Sequence, residues 1–461
     1  MTKMNKNPIV KICLSVTIIA LLFETSIIPA FGNNINFYHN SISSLQDISD
    51  IPESHLIEGV PYVGQTLGYC AFASMAMMLN KFDGVNVTLN DVIYYTGIGY
   101  SLVYPSIGVD RIPAGGIYVS QQTEDILFLT SLFGVTSKGW HADYKNKSDD
   151  ECWPEYWIRL KQNISNDYPI MTAVNPFRLS SALSLIPFKV PNWLLDKLES
   201  GHGIVVFGYN ETNGTICYHD PMPNAVGKPE CGTHQWMKIS DFRTALETVF
   251  TGSQDEGATK YLIGTYRKLG EPLSKQEAFN KSHKRNIEKL RGNLSAYDSF
   301  IIKFHNFSNL GINASHAFKN HLEKGVNSSK TITIYKKQGK LGILYCLKKL
   351  FLPILSFLIK LTPNAGEKFY QTNFEAIAEQ KQQTAKFLNI NKNLSDICEY
   401  EALLFENEAK LWESLASCYS VFMRRGIFLS NFRATFIVSR MNNIMGKVLE
   451  IEETITNLEE K

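Results

Sequence analysis

Apolar side chains follow two different spacings in the first part of the chain, and each spacing predicts a different element. After residue 69 they occupy the i, i+3, i+4 and i+7 positions of one buried helix face: Phe72, Met75, Ala76 and Leu79. The run GHGIVVFGYN at 201–210 is apolar at successive positions, which is typical of a central strand that is buried on both faces. Helix and sheet are therefore predicted in the same region.

A second strand at 215–220 is predicted to pair with the first through a turn at Asn213-Gly214, because Asn-Gly is a strong hairpin signal. This hairpin would bring Asp220 back beside His202. Further strands are predicted at 169–174 and 260–267, and helices at 90–95, 121–133, 149–164 and 236–246. The apolar insertion at 180–198 just before His202 predicts either a lid over a cleft or ordinary core.

The pattern changes near Gly270, where strand alternation is mostly lost and amphipathic helices begin. Helices are predicted at 373–388, 395–425 and 431–459, and one apolar stripe of the second consists of Trp412, Leu415, Tyr419 and Phe422. The predicted fold class is α+β, with a helix packed on an antiparallel sheet, followed by an all-α helical domain. The predicted boundaries are a linker at 33–57, a first domain at 58–269 and a helical domain at 270–461.

Length and composition agree with a globular protein of more than one domain. A chain of 461 residues is too long for one ordinary domain, and 44% hydrophobic with 20% charged residues provides an ample core. The formal net charge is only +2, which gives no reason to expect a nucleic-acid partner.

The first 32 residues have the layout of a targeting segment. Lys3, Lys6 and Lys11 precede an apolar run at 12–23, and small residues suited to signal peptidase follow at 30–32. The segment is either a cleaved secretory signal or an uncleaved membrane anchor. Both alternatives predict an extracytoplasmic protein that is secreted or membrane-anchored.

One later segment, 341–361, is the second most apolar part of the chain. Lys348, Lys349 and Pro353 interrupt it, so a buried or interfacial helix is favoured over a membrane span. The sequence therefore predicts contact with a membrane surface, or packing against the first domain, through this segment.

Exported chains can carry glycans and disulfides. Eleven N-x-Ser/Thr sequons occur, although an Asn-rich chain also produces them by chance: Asn86, Asn146, Asn163, Asn210, Asn213, Asn280, Asn293, Asn306, Asn313, Asn327 and Asn393. Setting aside Cys13 in the targeting segment and Cys70 leaves six cysteines, an even number that permits disulfides of undetermined pairing: Cys152, Cys217, Cys231, Cys346, Cys398 and Cys418.

Four residues in chain order carry the candidate chemistry. In GQTLGYCAFASMAMMLNKF, at 64–82, Gln65 lies five residues before Cys70, which opens the apolar helix. A helix N-terminus lowers the pKa of a thiol, and an imidazole such as His202 can complete the activation as an ion pair. Asp220 is the candidate to orient the imidazole. The Gln65 amide and the Cys70 backbone N–H are candidate donors to an oxyanion.

A rival hypothesis is a zinc site. Cys217 and His219, together with Cys231 and His234, are metal-type ligands at nearly suitable spacing. The first pair lacks the usual gap of two to four residues, so the sequence favours a site without metal.

The site-bearing stretches resemble the papain-fold cysteine peptidases related to the bacteriocin-processing, double-glycine peptidases. In those families a Gln precedes the Cys, a His opens a strand, and an Asp-Pro follows about two strands later. The resemblance covers about residues 58–268 and implies that Gln65, Cys70, His202 and Asp220 take the family's catalytic positions. The stretch is also similar to the N-terminal domain of the butirosin-biosynthesis acyltransferase, which shares the Cys/His core and carries a helical C-terminal region.

These patterns predict an exported, papain-like thiol enzyme that needs no cofactor or metal. It would attack an acyl carbonyl through Cys70 and form an acyl-enzyme, with a peptide or acyl substrate. Two alternatives stay open: acyl transfer to an amine, and a binding module that keeps the fold without catalysis. The sequence leaves the substrate and the oligomeric state undetermined.

Overall fold

The structure of the chain is a computed structural model that describes most residues after 50. The described residues are 51–66, 69–105, 118–119, 123–144, 146–184, 201–249, 260–296, 308–328, 331–333, 373–425 and 429–458. The targeting segment at 1–32, the apolar segment at 341–361 and most of the insertion at 180–198 lie outside them.

Ten strands occur among the described residues: β1 Ser54–Leu56, β2 Leu102–Pro105, β3 Tyr118–Val119, β4 Val135–His141, β5 Ile170–Val174, β6 His202–Asn210, β7 Thr215–His219, β8 Gln235–Lys238, β9 Leu262–Lys268 and β10 Ser308–Leu310. Eleven α-helices accompany them: α1 Cys70–Leu79, α2 Leu89–Thr96, α3 Thr123–Leu132, α4 Asp149–Ser165, α5 Ser180–Ser184, α6 Ile239–Glu247, α7 Lys275–Leu290, α8 Ile312–Asn327, α9 Asn373–Ile390, α10 Cys398–Arg425 and α11 Asn431–Thr456.

The main sheet has seven antiparallel strands in the order β4-β9-β5-β6-β7-β8, with β1 paired to β6 beside this path. Strand β6 is buried at every position except its last. This confirms the prediction of a central strand that is apolar on both faces. The described chain is thus an α+β fold with a mostly antiparallel sheet, followed by a helical region, as predicted.

Strand β1 falls inside the range that the sequence predicted as a linker. Ser54 pairs with Asn210 and Leu56 with Gly208, while β5 pairs with the earlier part of β6, from His202 to Val206. Strand β5 leaves the last residues of β6 unpaired along one edge, and β1 forms its backbone hydrogen bonds there. Residues 54–56 are therefore part of the sheet and not a linker.

The turn between β6 and β7 differs from the predicted two-residue hairpin. It spans the four residues 211–214, and Gly214 closes it at a φ of +62°. The N–H of Gly214 donates to the carbonyl of Glu211 at 3.1 Å, and the N–H of Glu211 donates to Glu53 at 2.9 Å. The pairing with β1 thus draws Glu211 into the turn. The hairpin still pairs β6 with β7, as predicted.

Helix α1 begins at Cys70, where the sequence predicted it, but it is more deeply buried than a single stripe implies. All nine residues from Ala71 to Leu79 are buried, including Ser74. A helix that is apolar on all sides is typical of a core helix. Another correction concerns residues 235–238, which form strand β8 rather than the start of the predicted helix.

The chain divides into two compact units. The first contains the described residues of 51–92 and 126–272, including the main sheet and α1. The second contains the described residues of 93–125, 273–333 and 373–458. The range 93–125 lies inside the predicted first domain, yet its described residues belong to the second unit. The predicted boundary near residue 270 therefore covers only one of the places where the chain passes between the units.

Aromatic packing explains why this early stretch belongs with the late helices. The ring of Tyr94 stacks on Phe387 of α9 with centroids 3.9 Å apart and on Phe279 of α7 at 5.8 Å. The ring of Tyr100 meets Phe405 of α10 edge-on at 4.8 Å. In this unit β2 also pairs with β3 and β10 in a three-stranded sheet, an exception to the predicted absence of strands after 270.

The core of the second unit is formed by the inner faces of α8, α9, α10 and α11. It includes Trp412, Leu415 and Phe422 of the predicted stripe, all buried, with Tyr419 packed against them. This part of the sequence pattern is confirmed. Within the described residues no helix is long and apolar enough to cross a membrane.

Candidate active site

Helix α1 and strand β6 begin side by side, and each opens on a candidate catalytic residue. Cys70 is the first residue of α1 and His202 the first of β6. A Cβ added to Gly203, the second residue of β6, would lie 3.5 Å from the backbone of Ala71, the second residue of α1. The first residues of the helix and of the strand therefore lie close together. The N-terminus of α1 also contributes partial positive charge at Cys70.

Asp220 lies at the end of β7, and β7 pairs with β6, so its carboxylate reaches the His202 ring. The distance from His202 Nε2 to Asp220 Oδ1 is 2.7 Å. Asp220 is fully buried and His202 is 4% exposed. A short contact between a buried carboxylate and an imidazole fixes the orientation of the ring and favours its charged form.

The electrostatics couple Cys70 to His202. Burial alone would raise the pKa of the Cys70 thiol, but the charge and side-chain hydrogen bond of His202 lower it below its ordinary value, as do the backbone N–H groups of Gly203 and Ala71. Burial alone would lower the pKa of His202, but the Asp220 carboxylate and Cys70 raise it to about 10. The pair therefore favours thiolate and imidazolium at neutral pH.

The Asp220 carboxylate accepts hydrogen bonds at both oxygens. In addition to His202, the backbone N–H of Met222 donates to Oδ1 at 2.9 Å, and the Ser181 hydroxyl donates to Oδ2 at 2.6 Å. The backbone of Asp220 is held as well, because its N–H donates to Gly232 at 2.8 Å and its carbonyl accepts from the Tyr62 hydroxyl at 3.2 Å. The carboxylate is thus fixed by parts of the chain that are distant in sequence.

Gln65 lies against the loop that follows Asp220. Its N–H donates to the carbonyl of Pro221 at 3.0 Å, and its carbonyl accepts from the Asn224 side chain at 3.0 Å. Its side chain is 4% exposed, and Oε1 is buried with no hydrogen-bond partner among the described residues. A buried acceptor without a partner is costly unless a ligand completes it. Because Oε1 only accepts hydrogen bonds, it is available to a donor on a bound group.

Gly64 leaves the space that the hydrogen bond between Asn224 and the Gln65 backbone requires. A Cβ at this position would lie 2.2 Å from the Asn224 side-chain carbon, so any other residue would push Asn224 away from Gln65. The side chain of Asn224 is directed to Gln65. Asp220 occupies the position beside His202.

The other described cysteines differ from Cys70. Burial raises the pKa of the thiols of Cys152 and Cys418, and it raises that of Cys217 to about 12 and that of Cys398 to about 11. All six described cysteines are free thiols, so the disulfides that the sequence permitted do not occur among them. Cys13 and Cys346 lie outside the described residues.

The rival zinc cluster has a structural role instead. His219 is fully buried; its Nε2 lies 3.0 Å from the carbonyl of Val60, and its Nδ1 accepts from the N–H of His234 at 3.1 Å. Burial lowers its pKa to about 4. Both ring nitrogens are therefore occupied. No group of three or more metal-type side chains converges anywhere in the part of the chain that the structure describes.

Sequence reasoning missed Ser181 and Tyr62. Serine and tyrosine are common, and neither residue stands in a recognisable motif. Their roles depend on contacts with Asp220 that arise only when chain segments far apart in sequence fold together. The Asp-Pro pair at 220–221 was the only local signal for this part of the site.

Comparison with known proteins gives one family. Residues 57–241 match the model of the Peptidase_C39 like family, a span that includes Gln65, Cys70, His202 and Asp220. No curated protein matches the chain. The match supports a papain-like, C39 peptidase-related family for this region, in agreement with the resemblance drawn from the sequence. The similarity to the butirosin-biosynthesis acyltransferase stays a prediction.

Proposed function

We propose that the C39 peptidase-related region of this chain is a cysteine peptidase that acts through Cys70, His202 and Asp220. The observation that carries the proposal is the buried His202 ring, which is hydrogen-bonded to the Asp220 carboxylate at 2.7 Å and interacts with the Cys70 thiol through charge and a hydrogen bond. A thiolate paired with an imidazolium is the activated nucleophile of acyl-transfer chemistry.

In this mechanism the Cys70 sulfur attacks the carbonyl carbon of a peptide or isopeptide bond and forms a tetrahedral intermediate. The Gln65 amide and the Cys70 N–H donate to the oxyanion. His202 then gives its proton to the leaving amine, the C–N bond breaks, and a thioester remains on Cys70. Water, deprotonated by His202, attacks the thioester and releases the acid product together with the free thiol.

Thiol labelling tests the first step. We expect iodoacetamide to alkylate Cys70 near neutral pH much faster than the buried thiols of Cys152, Cys217 and Cys398, as followed by mass spectrometry of the folded protein. Equal rates at all of these sites would contradict a thiolate nucleophile at Cys70. Slow labelling at Cys70 in a folded sample would favour the alternative of a binding module without catalysis.

Turnover tests the remaining steps. We expect Cys70→Ala to abolish cleavage of peptide and isopeptide libraries, and Cys418→Ala, a matched change at a buried thiol of the second unit, to leave it unchanged. Asp220→Asn should retain a residual rate, with a loss of roughly 10²- to 10⁴-fold, because His202 remains but loses its orienting charge. Wild-type activity in Asp220→Asn would contradict its assigned role.

Acyl transfer is the second candidate. The helical region that follows the C39-related region is the observation that favours it, since the acyltransferase resemblance includes such a region. Here an amine rather than water takes the acyl group from Cys70. Adding amine acceptors to a trapped acyl-enzyme decides between the two: acceptor-dependent product supports transfer, and release at an unchanged rate supports hydrolysis.

We also propose that the protein acts outside the cytoplasm, either secreted or anchored, on the basis of the charged and apolar layout of residues 1–32. Contact of residues 341–361 with a membrane surface is part of the same proposal. Cell fractionation with a protease-protection assay tests the location. Recovery of the whole chain in the cytoplasm would contradict it.

A further inference from the structure

We infer that Ser181 is a positioning residue of this site, which holds the Asp220 carboxylate so that His202 remains fixed and charged beside Cys70. The inference rests on the proposed function and extends it to a residue outside the Gln, Cys, His and Asp set. The role follows from the hydrogen bonds that surround the carboxylate.

The contact is short, buried and specific. Ser181 Oγ lies 2.6 Å from Asp220 Oδ2, the oxygen that faces away from His202. Ser181 is 1% exposed and Asp220 is fully buried. Because an ionised carboxylate can only accept hydrogen bonds, the Ser181 hydroxyl must donate its proton here. Hydrogen bonds to a buried charge are among the strongest in proteins.

A chain of hydroxyl groups lies behind Ser181. The Tyr218 hydroxyl lies 3.2 Å from Ser181 Oγ and 3.1 Å from Ser180 Oγ. Since Ser181 gives its only proton to Asp220, the Tyr218 hydroxyl is its donor, and Ser180 in turn donates to Tyr218. Burial raises the pKa of Tyr218, so its proton is retained. Each donor polarises the next, and the chain ends on the carboxylate.

The fold gives Ser181 a rigid support. Helix α5 follows a short 3-10 helix, Pro176–Arg178, whose first turn is capped by the Asn175 side chain at 3.1 Å from the N–H of Phe177. The backbone N–H of Asn175 donates to Ala245 of α6 at 2.8 Å. The hydroxyl of Ser181 is thereby held in one place.

Removal of the Ser181 hydroxyl would leave Asp220 Oδ2 buried without a donor, which is costly for a charged group. The carboxylate would turn or lose contact, and the imidazolium of His202 would be less stabilised. The thiolate of Cys70 would then form only at higher pH. The titratable groups that face Asp220 or its histidine are His202, Cys70, Tyr218 and Tyr62.

The test measures the alkylation rate of Cys70 by iodoacetamide as a function of pH, which needs no substrate. For Ser181→Ala we expect the midpoint of the rise to move to higher pH, with alkylation about tenfold slower below the wild-type midpoint. In the same variant, the pH at which peptide cleavage falls on the alkaline side should be lower than in the wild-type protein. A purely structural role would lower the melting temperature and leave both pH limits in place.

Two variants serve as controls. Ser184→Ala removes a hydroxyl of the same short helix whose hydrogen bond among the described residues is to a backbone carbonyl, that of Ser181, and not to Asp220. It should keep the wild-type midpoint. Ser181→Thr keeps the donor and should keep the midpoint as well. An unchanged midpoint in Ser181→Ala, or an equal shift in Ser184→Ala, would overturn the inference.

Tyr218→Phe decides the matter if Ser181→Ala fails to fold. It leaves the bond from Ser181 to Asp220 but removes the donor behind it, so a smaller shift in the same direction is expected. A wild-type midpoint in Tyr218→Phe would then overturn the inference. A wild-type protein whose Cys70 is unreactive at every pH contradicts the proposed function itself, and the two failures are therefore distinguishable.

Discussion

At the scale of single residues, the site depends on a histidine that keeps its proton although it is buried. Burial works against the charge, yet Asp220 and the Cys70 thiolate raise the pKa of His202 to about 10. The thiolate and the imidazolium stabilise each other, so both are present over a wide range of pH. The breadth of that range is a property of the site that can be measured.

The pH dependence of turnover follows directly. Because the pKa of His202 is raised, the imidazolium is present below about pH 10 and is lost as the pH rises through that value. We expect kcat/KM to fall on the alkaline side near this pH and to fall on the acidic side where the Cys70 thiolate is protonated. Initial rates across the pH range measure both limits. An alkaline limit near the ordinary pKa of histidine would contradict the buried ion pair.

Gln65 gives a second prediction at this scale. Its backbone is hydrogen-bonded to Pro221 and to the Asn224 side chain, next to the loop that follows Asp220. We expect Gln65→Ala to lower kcat by about 10²- to 10³-fold with little change in KM, because one oxyanion donor is lost. Steady-state kinetics decide the matter. A change in KM alone would show that Gln65 holds the substrate instead.

The sequence predicted the four central residues because each role requires a particular residue type in a particular order. Cys70 at a helix start and His202 at a strand start could be placed by pattern alone. The coupling of Asp220 to Ser181 could not, since it depends on how α5 lies against the end of β7. The need for glycine at position 64 could not be predicted either, since it depends on the close approach of the Asn224 side chain.

At the scale of elements, strands with a strong apolar signal could be predicted and weak ones could not. Strand β6 is continuous and apolar, whereas β4, with the sequence VTSKGWH, is half-exposed at the end of the sheet and has no clear alternation. Strand β1 is polar and short, and it owes its conformation to the backbone of β6. Edge strands of this kind are determined by their neighbours more than by their own residues.

Three helices of the second unit contribute to a buried charged cluster. Lys381 of α9 and Glu408 of α10 form an ion pair at 2.8 Å, and both are fully buried. Glu452 of α11 lies with them, and burial followed by the charge of Glu408 raises its pKa well above the ordinary value, against the opposing charge of Lys381. Such a cluster makes the packing of these helices sensitive to pH.

Substitution of Glu452 tests this sensitivity. Because its folded pKa is raised, its contribution to stability is present below about pH 4.5 and is lost as the pH rises above that value. We expect Glu452→Gln to stabilise the protein at neutral pH and to have less effect in acid, where the carboxyl is protonated in both the folded and the unfolded chain. Urea unfolding at several pH values measures this.

Glu450→Gln is the matched control, since Glu450 is exposed on the same helix and its removal should change little. Equal effects of the two substitutions, or no dependence on pH in either, would contradict a buried protonated carboxyl at Glu452.

At the scale of the whole molecule, the chain passes between its two units more than once. The described residues of 93–125 belong with the late helices, and Tyr94 and Tyr100 contribute large aromatic rings to that unit. A division of the chain at one boundary near residue 270 therefore separates residues that pack together. The consequence for truncated chains is specific.

We expect a chain that ends at Pro272 to have low solubility, because the rings of Tyr94 and Tyr100 lose Phe279, Phe387 and Phe405 and become exposed. Replacing both tyrosines with serine in the short chain should improve its solubility and preserve rapid alkylation of Cys70. Solubility and alkylation rate are the measurements. A soluble, reactive short chain without those replacements would show that 93–125 does not need the later helices.

The hydrogen bond from the Tyr100 hydroxyl to the Glu401 carboxylate joins residues 301 positions apart. It can form only after most of the chain has been synthesised. The segment that follows α1 leaves the ribosome with its aromatic rings unmatched, and their partners emerge only when most of the chain has been made. Closing so long a loop is slow compared with local folding. During that interval a nascent chain exposes the aromatic rings of Tyr94 and Tyr100, so chaperones that act on the growing chain are expected to recognise this stretch.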